Sequence, residues 1–326
     1  MRYLKFQDGH VQELPIHGTL PATVHVFDGK SIEAINAALA ARRPLLVRGE
    51  PGTGKSQLAR AAAAALGRAF LSFTVDARTE SQDLHYTVDT VARLADAQIL
   101  GHLPMEKGLG VRERLAESRY TAPGPLWWVF AWESADEQSR IGGGARPWIP
   151  PGQTWKPERG AVLLLDEIDK ADPAVPNGLL EALGQGQFHA PDGKVVAADP
   201  EGTPPLVIVT TNEERALPDA FVRRCLVLQL DWPEESEALM KRLMARGEAH
   251  FGQEVTPRAL RVAAEMVAED RIAMKARGVC PPGGAEYLDL LRAVVTRWPK
   301  ETAKQEEALA RVREFALRKH PEEPTW

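Results

Sequence analysis

Gly49-Glu50-Pro51-Gly52-Thr53-Gly54-Lys55-Ser56 fits the phosphate-binding loop pattern G-x-x-x-x-G-K-[ST] without a gap. Before it, Pro44-Leu45-Leu46-Val47-Arg48 is a short apolar run that predicts a buried strand. After it, Gln57 to Leu66 is rich in alanine and free of proline and glycine, which predicts a helix. An idle glycine-rich turn would not need this strand–loop–helix setting. Glycines let the backbone turn and bring its N–H groups onto phosphates, and a helix N-terminus adds partial positive charge at the same place. Lys55 is placed to reach the β- and γ-phosphates, and Ser56 to bind Mg²⁺ through its hydroxyl. The candidate nucleotide contacts are Gly49, Glu50, Pro51, Gly52, Thr53, Gly54, Lys55, Ser56 and Gln57.

Outward from the loop, strands and helices alternate. Ser31 to Ala41 carries Ile32, Ile35, Ala38 and Leu39 at helical spacing, Gly67 suits a helix C-cap, and Ala69 to Val75 reads as a second strand. Gly160 to Leu165, Pro205 to Thr210 and Cys225 to Leu230 are further apolar runs of the kind found in parallel strands buried on both faces. The class is therefore α/β with a mostly parallel sheet. Beyond Trp232 the strand signals stop, and Glu234–His250, Pro257–Ala268, Ala285–Arg297 and Thr302–Arg318 read as helices. Residues 1–30 read as a lead-in segment, 31–232 as a nucleotide-binding core and 233–326 as a smaller helical domain. Within the core, 77–124 is irregular, and about 133–157 is a Trp-, Gly- and Pro-rich loop around Gly142-Gly143-Gly144. Leu126, Trp127, Trp128 and Phe130 read as core packing.

Composition narrows the class. A chain of 326 residues with 26% charged residues is ordinary for a soluble protein, and its net charge of −5 argues against a large basic surface for nucleic acid. No apolar run is long enough to span a bilayer and the start lacks a signal-peptide core, so the expected location is the cytoplasm. Cys225 and Cys280 are the only cysteines and the eight histidines are scattered, which leaves no cysteine or histidine metal site to argue from.

A second set of polar residues completes a reaction centre. Leu163-Leu164-Leu165-Asp166-Glu167 is an apolar strand ending in two acids. Asp166 suits Mg²⁺, a hard cation that takes carboxylate and water oxygens, and Glu167 can polarise an attacking water as a general base. Asn212, at the end of another strand, can orient that water or simply end the strand. Arg223-Arg224 before the last apolar run is either a surface ion-pair cluster or a finger that neutralises transition-state charge on a neighbouring subunit's nucleotide.

These four elements, in this order, resemble the AAA+ ATPase superfamily: Gly49–Ser56 as Walker A, Leu163–Ala171 as Walker B, Thr210–Asn212 as sensor 1, and Leu217–Cys225. The stretches GEPGTGKSQLA, PGPLWW, LLDEIDKAD and ALPDAFVRRC look like the MoxR-type branch with its dynein-related relatives, over about residues 30–230. Pro281 to Leu290 echoes the lid helix of that branch. The resemblance implies a five-stranded parallel sheet between helices, a helical lid over the nucleotide, ATP and Mg²⁺ as ligands, and rings of subunits, usually hexamers, with ATP at each boundary. Asn212 then becomes sensor 1, and Arg223 or Arg224 the finger, with Arg224 preferred. Residues 77–124 would hold the insertion whose hairpin lines the ring's pore, with His85, Tyr86 and Met105 as candidate contacts beside ordinary packing. Phe27 or Val26 could flank the base.

One departure stands out. Where many such lids carry a sensor 2 arginine, this chain reads Pro282-Gly283-Gly284-Ala285, with Lys275 and Arg277 upstream and Arg258 in an earlier helix. The expected function is a MoxR-like ATPase that remodels a protein partner, commonly one with a von Willebrand factor A domain. An ATP-gated assembly scaffold and a ring ATPase of a nucleic-acid-processing or defence system are the alternatives.

Overall fold

The computed structural model describes residues 3–102, 110–149 and 155–317. Five parallel strands form its central sheet, in the spatial order Leu226–Gln229, Leu45–Arg48, Leu206–Thr210, Ala161–Asp166, Ala69–Thr74. Successive side chains of a strand point to opposite faces, so each apolar run feeds two cores. Leu46, Leu163, Leu165, Val207 and Val209 pack on one face with Leu126, Trp127, Trp128 and Phe130, the tryptophans being core residues as their spacing predicts. Leu45, Val47, Val162, Leu164, Leu206 and Ile208 pack on the other, against Leu58, Ala59, Ala62 and Leu66 of the helix Lys55–Leu66. That helix is short in side-chain bulk, which lets it lie close to the sheet, and it ends where Gly67 adopts a left-handed conformation at φ 66°.

The lead-in segment is more than an approach to the core. Val11–Leu14 and Thr23–Val26 pair as an antiparallel ribbon, and Leu14 and Phe27 bury into the second face of the sheet. Phe27 is 1% exposed, which corrects its expected place beside a base: it is a core residue, while Val26 stays half-buried.

The expected loop over 133–157 also needs correction, because Trp132–Gly142 is a helix. Two features hold it. Gln138 donates to the main-chain oxygens of Ser118 and Thr121, each at 2.7 Å. Gly142 lies so close to the Thr121 carbonyl that a Cβ there would come within 2.0 Å of it. Within 77–124, Tyr86–Val88 pairs antiparallel with Thr121–Pro123, and Thr90–His102 is helical. His85 stacks on Phe188 with ring centroids 4.6 Å apart, and Tyr86 is a half-buried strand residue. Met105 lies outside the described residues.

After Trp232, the helices Ser236–Phe251, Pro257–Ala276, Gly284–Val295 and Thr302–Ala316 gather around a separate core that includes Leu243, Leu260, Val267, Tyr287 and Leu291. The second of these runs eight residues past its expected end at Ala268, since Arg271 and Met274 continue its buried face. Among the described residues, no helix is long and apolar enough to cross a membrane.

Candidate active site

The sheet brings the candidate residues together at the carboxyl ends of neighbouring strands. The register pairs Val209 with Leu165, which sets Thr210 level with Asp166, and Thr210 in turn pairs with Val47, two residues before the phosphate loop. Alternation sends Asp166 and Thr210 to the face covered by the helix Lys55–Leu66, whose second residue is Ser56. The Ser56 hydroxyl accordingly donates to Asp166 Oδ1 at 2.7 Å. A hydroxyl and a carboxylate side by side are the hard oxygen donors that Mg²⁺ takes when phosphates and waters fill its other positions, so the pair fits that ion.

The loop has the backbone its glycines predict. Gly49, Gly52 and Gly54 have φ of 140°, 76° and 100°, and at Gly49 a Cβ would meet the Leu230 carbonyl at 2.1 Å. Lys55 folds back on its own loop, its ammonium donating to Gly49 O at 2.7 Å and Glu50 O at 3.0 Å. Burial pulls its pKa below the usual lysine range, opposed by Asp166, Asp169, Glu167 and Glu213. A phosphate in the loop would supply the countercharge that burial withholds.

Glu167 sits in the left-handed region at φ 60°, ψ 49°, an uncommon conformation for a residue with a side chain. Its Oε1 accepts from Asn212 Nδ2 at 3.3 Å. The Asn212 loop is fastened from below: buried Asp169 accepts from the main-chain N–H of Asn212 at 3.2 Å and of Glu214 at 3.0 Å. Thus Lys55, Ser56, Asp166, Glu167 and Asn212 form one constellation.

The family whose description is AAA domain (dynein-related subfamily) matches residues 44–225, from the strand before the loop to the residue after Arg224. The chain belongs to this family. No curated protein matches its sequence at a significant level. Solved structures similar to it include a protein from Cytophaga hutchinsonii assigned as an ATPase, 15% identical over 86% of this chain and 78% of that one, with a TM-score of 0.35. The Holliday junction branch migration motor RuvB of Thermotoga maritima is 17% identical over 87% of this chain and 67% of its own, with a TM-score of 0.41. A point mutant of the same protein gives 18%, 87%, 68% and 0.43. Likeness at this level carries no argument about the present chain, and the strand order stands for the fold by itself.

In this AAA domain, Arg223 and Arg224 are not part of the constellation. They precede the strand Leu226–Gln229, whose first residue donates to Pro44 O, so they lie at the amino ends of the strands, the end opposite the phosphate loop. The Arg43 guanidinium holds the carbonyls of both. Arg224 donates from its own side chain to Ala220 O at 3.1 Å and lies against Gly184. Arg223 is exposed, and among the described residues its guanidinium has no hydrogen-bond or ion-pair partner.

Two arginines that the sequence reading passed over reach the loop from the helical region. Arg271 pairs with Glu50 at 2.6 Å, with Lys275 at 3.8 Å from the same carboxylate. Arg246 donates to Thr53 O at 2.9 Å and stacks on Trp232, 5.1 Å from the ring centroid. Burial lowers the Arg246 pKa to about 10, with Arg242 adding to the effect. Both occupy positions of apolar helical faces, after Leu239 and Leu243 in one helix and after Ala264 and Val267 in the other. A charged residue on a buried face was the available signal. Arg258 instead pairs with Glu306.

Gln57 meets His25, whose Nδ1 is 3.2 Å from Gln57 Oε1. Burial drives the His25 pKa down to about 4, against the raising effect of Gln57 and with Arg246 lowering it further; Asp28 raises it and His250 lowers it. Burial, with Arg246 and Arg292, also takes His250 to about 4. Both are neutral in the fold, whereas the unfolded chain takes up their protons near 6.5. Their contribution is therefore fully present above pH 6.5 and is lost as pH falls from 6.5 toward 4. For His25 the loss is about 1.4 kcal/mol per pH unit in that window. Melting temperature is expected to fall between pH 7 and pH 5, and His25→Asn to reduce the slope by about one proton. An unchanged slope in that variant contradicts the assignment.

Proposed function

We propose that this AAA domain is a MoxR-like ATPase that hydrolyses Mg·ATP at the boundaries between subunits of a ring, and uses the cycle to remodel or activate a protein partner. The division into a core over 31–232 and a lid over 233–326 belongs to the same reading. It is supported above all by one arrangement. The loop, both acids and Asn212 converge at the carboxyl ends of the strands, while Arg223 and Arg224 sit at the amino ends, roughly 13 Å of strand away. Within one chain, the two lid arginines near the loop are engaged by the Thr53 carbonyl and the Glu50 carboxylate. The cation that transition-state charge requires is then supplied by a neighbour's Arg223 or Arg224.

In this mechanism, Lys55 exchanges its two loop carbonyls for phosphate oxygens, and the loop N–H groups hold the rest of the polyphosphate. Ser56 and Asp166 would hold Mg²⁺, which when bound neutralises phosphate charge. Glu167 accepts the proton of the attacking water, and Asn212 orients that water or the γ-phosphate. Linkage couples this chemistry to shape: ATP at a boundary favours one relation between neighbours, and its hydrolysis releases that bias. A von Willebrand A-type protein is the partner class that the MoxR likeness suggests, and the net charge of −5 disfavours nucleic acid.

Turnover per subunit is expected to rise steeply with protein concentration before it levels off. A constant turnover per subunit down to dilute monomer would overturn the shared site.

A further inference from the structure

The strand Leu206-Val207-Ile208-Val209-Thr210 is wholly buried, and Thr210 is 1% exposed. Valine has the same shape, so the only thing threonine adds at this apolar position is a hydroxyl, and a buried hydroxyl needs partners. A threonine that merely ended the strand would use its own loop, as Thr211 does by accepting from Glu213 N–H at 2.9 Å. Thr210 reaches across to the neighbouring strand instead. It donates to Asp166 Oδ1 at 2.5 Å and accepts from the main-chain N–H of Glu167 at 2.9 Å.

Each bond bears on a different acid. The bond to Asp166 falls on the same oxygen that receives Ser56, which turns the second carboxylate oxygen away from both hydroxyls. The bond from Glu167 N–H secures a residue held in the left-handed region, which a residue with a side chain rarely adopts. From that conformation the Glu167 side chain reaches Asn212 Nδ2 at 3.3 Å. Losing the Thr210 hydroxyl would remove this hold on the Glu167 backbone.

We infer that Thr210 is a positioning residue for both acids: one hydroxyl sets the left-handed backbone of Glu167 and the orientation of Asp166. Its catalytic consequence rests on the ATPase reading above, whereas its structural part does not.

The test uses Thr210→Val, which keeps shape and burial, and Thr210→Ser, which keeps the hydroxyl. In the nucleotide-free protein, hydrogen exchange at the Glu167 amide is expected to speed up about tenfold or more in Thr210→Val and to stay near the wild-type rate in Thr210→Ser. In steady-state ATP hydrolysis, Thr210→Val is expected to lower kcat by about 10–100-fold with KM for ATP little changed, and Thr210→Ser to restore most of it. In a Glu167→Gln background the valine change should add less than it costs in the wild type, because the share that runs through Glu167 is already lost and only the share through Asp166 remains. Unchanged exchange in a cooperatively folding Thr210→Val overturns the structural claim. Altered exchange with unchanged kcat, an equal loss in Thr210→Ser, or a full additional loss in Glu167→Gln overturns the positioning role. If the wild-type chain shows no turnover, the ATPase reading fails, and the exchange arm still decides what Thr210 holds.

Discussion

Glu167→Gln is expected to slow ATP hydrolysis by about 10²–10⁴-fold, the usual worth of a positioned general base, while Mg·ATP stays bound. The amide is nearly the same size as the carboxylate but cannot take a proton. Its carbonyl oxygen still accepts from Asn212 Nδ2, so the 3.3 Å contact that links the two strand ends survives. Lys55, Ser56 and Asp166 are untouched. A kcat loss with KM for ATP near wild type separates this from Lys55→Ala, where binding itself should fail. Because the variant dwells in its ATP-bound state, it should also retain a protein client that the wild type releases, which makes it the bait for identifying that client. A variant that hydrolyses ATP at the wild-type rate removes Glu167 from the mechanism.

Much of this was legible in the sequence because the decisive residues follow apolar strands. Leu163-Leu164-Leu165 and Leu206 to Val209 announce buried parallel strands, and whatever polar residue follows such a run must emerge at the sheet's edge. The phosphate loop, Asp166, Glu167 and Asn212 were therefore placeable without coordinates. What could not be read was the lateral register. That Thr210 stands beside Asp166, rather than one residue above it, depends on how two strands pair 44 residues apart. The lid contacts were hidden for a related reason. Arg271 and Glu50 are 221 residues apart, and only the folding of the helical region over the loop brings them to 2.6 Å. Phe27 misled because an aromatic near a phosphate loop suits a base and a core equally, and the pairing of Val11–Leu14 with Thr23–Val26 decided for the core. The helix Trp132–Gly142 was masked by glycines, one of which serves close packing rather than flexibility.

Arg223→Ala is expected to cost about 10³–10⁵ in kcat, the range observed for arginine fingers, with nucleotide affinity retained. Arg224, the finger preferred from the sequence, adjoins it, but its guanidinium already serves the Ala220 carbonyl and packs on Gly184, whereas Arg223 is exposed with no partner among the described residues, which moves the proposal to Arg223. Arg224→Ala should accordingly be the milder change. In the proposed mechanism neither arginine acts on its own chain's nucleotide, because they lie at the amino end of the strand Leu226–Gln229 while Lys55 follows the carboxyl end of its neighbour Leu45–Arg48. On the proposed mechanism the two large effects have opposite ownership: Glu167 would serve the ATP its own chain binds, and Arg223 the neighbour's.

That difference can be measured directly by mixing the two inactive variants. A Glu167→Gln subunit carries an intact finger beside a dead site, and an Arg223→Ala subunit carries an intact site beside a missing finger. In a mixed ring, each Arg223→Ala site next to the finger of a Glu167→Gln subunit is complete. ATP hydrolysis by the mixture is predicted to rise well above that of either variant alone, peaking near equal proportions. Activity that never exceeds the sum of the two parents, in mixtures shown to co-assemble, would contradict a site built from two chains.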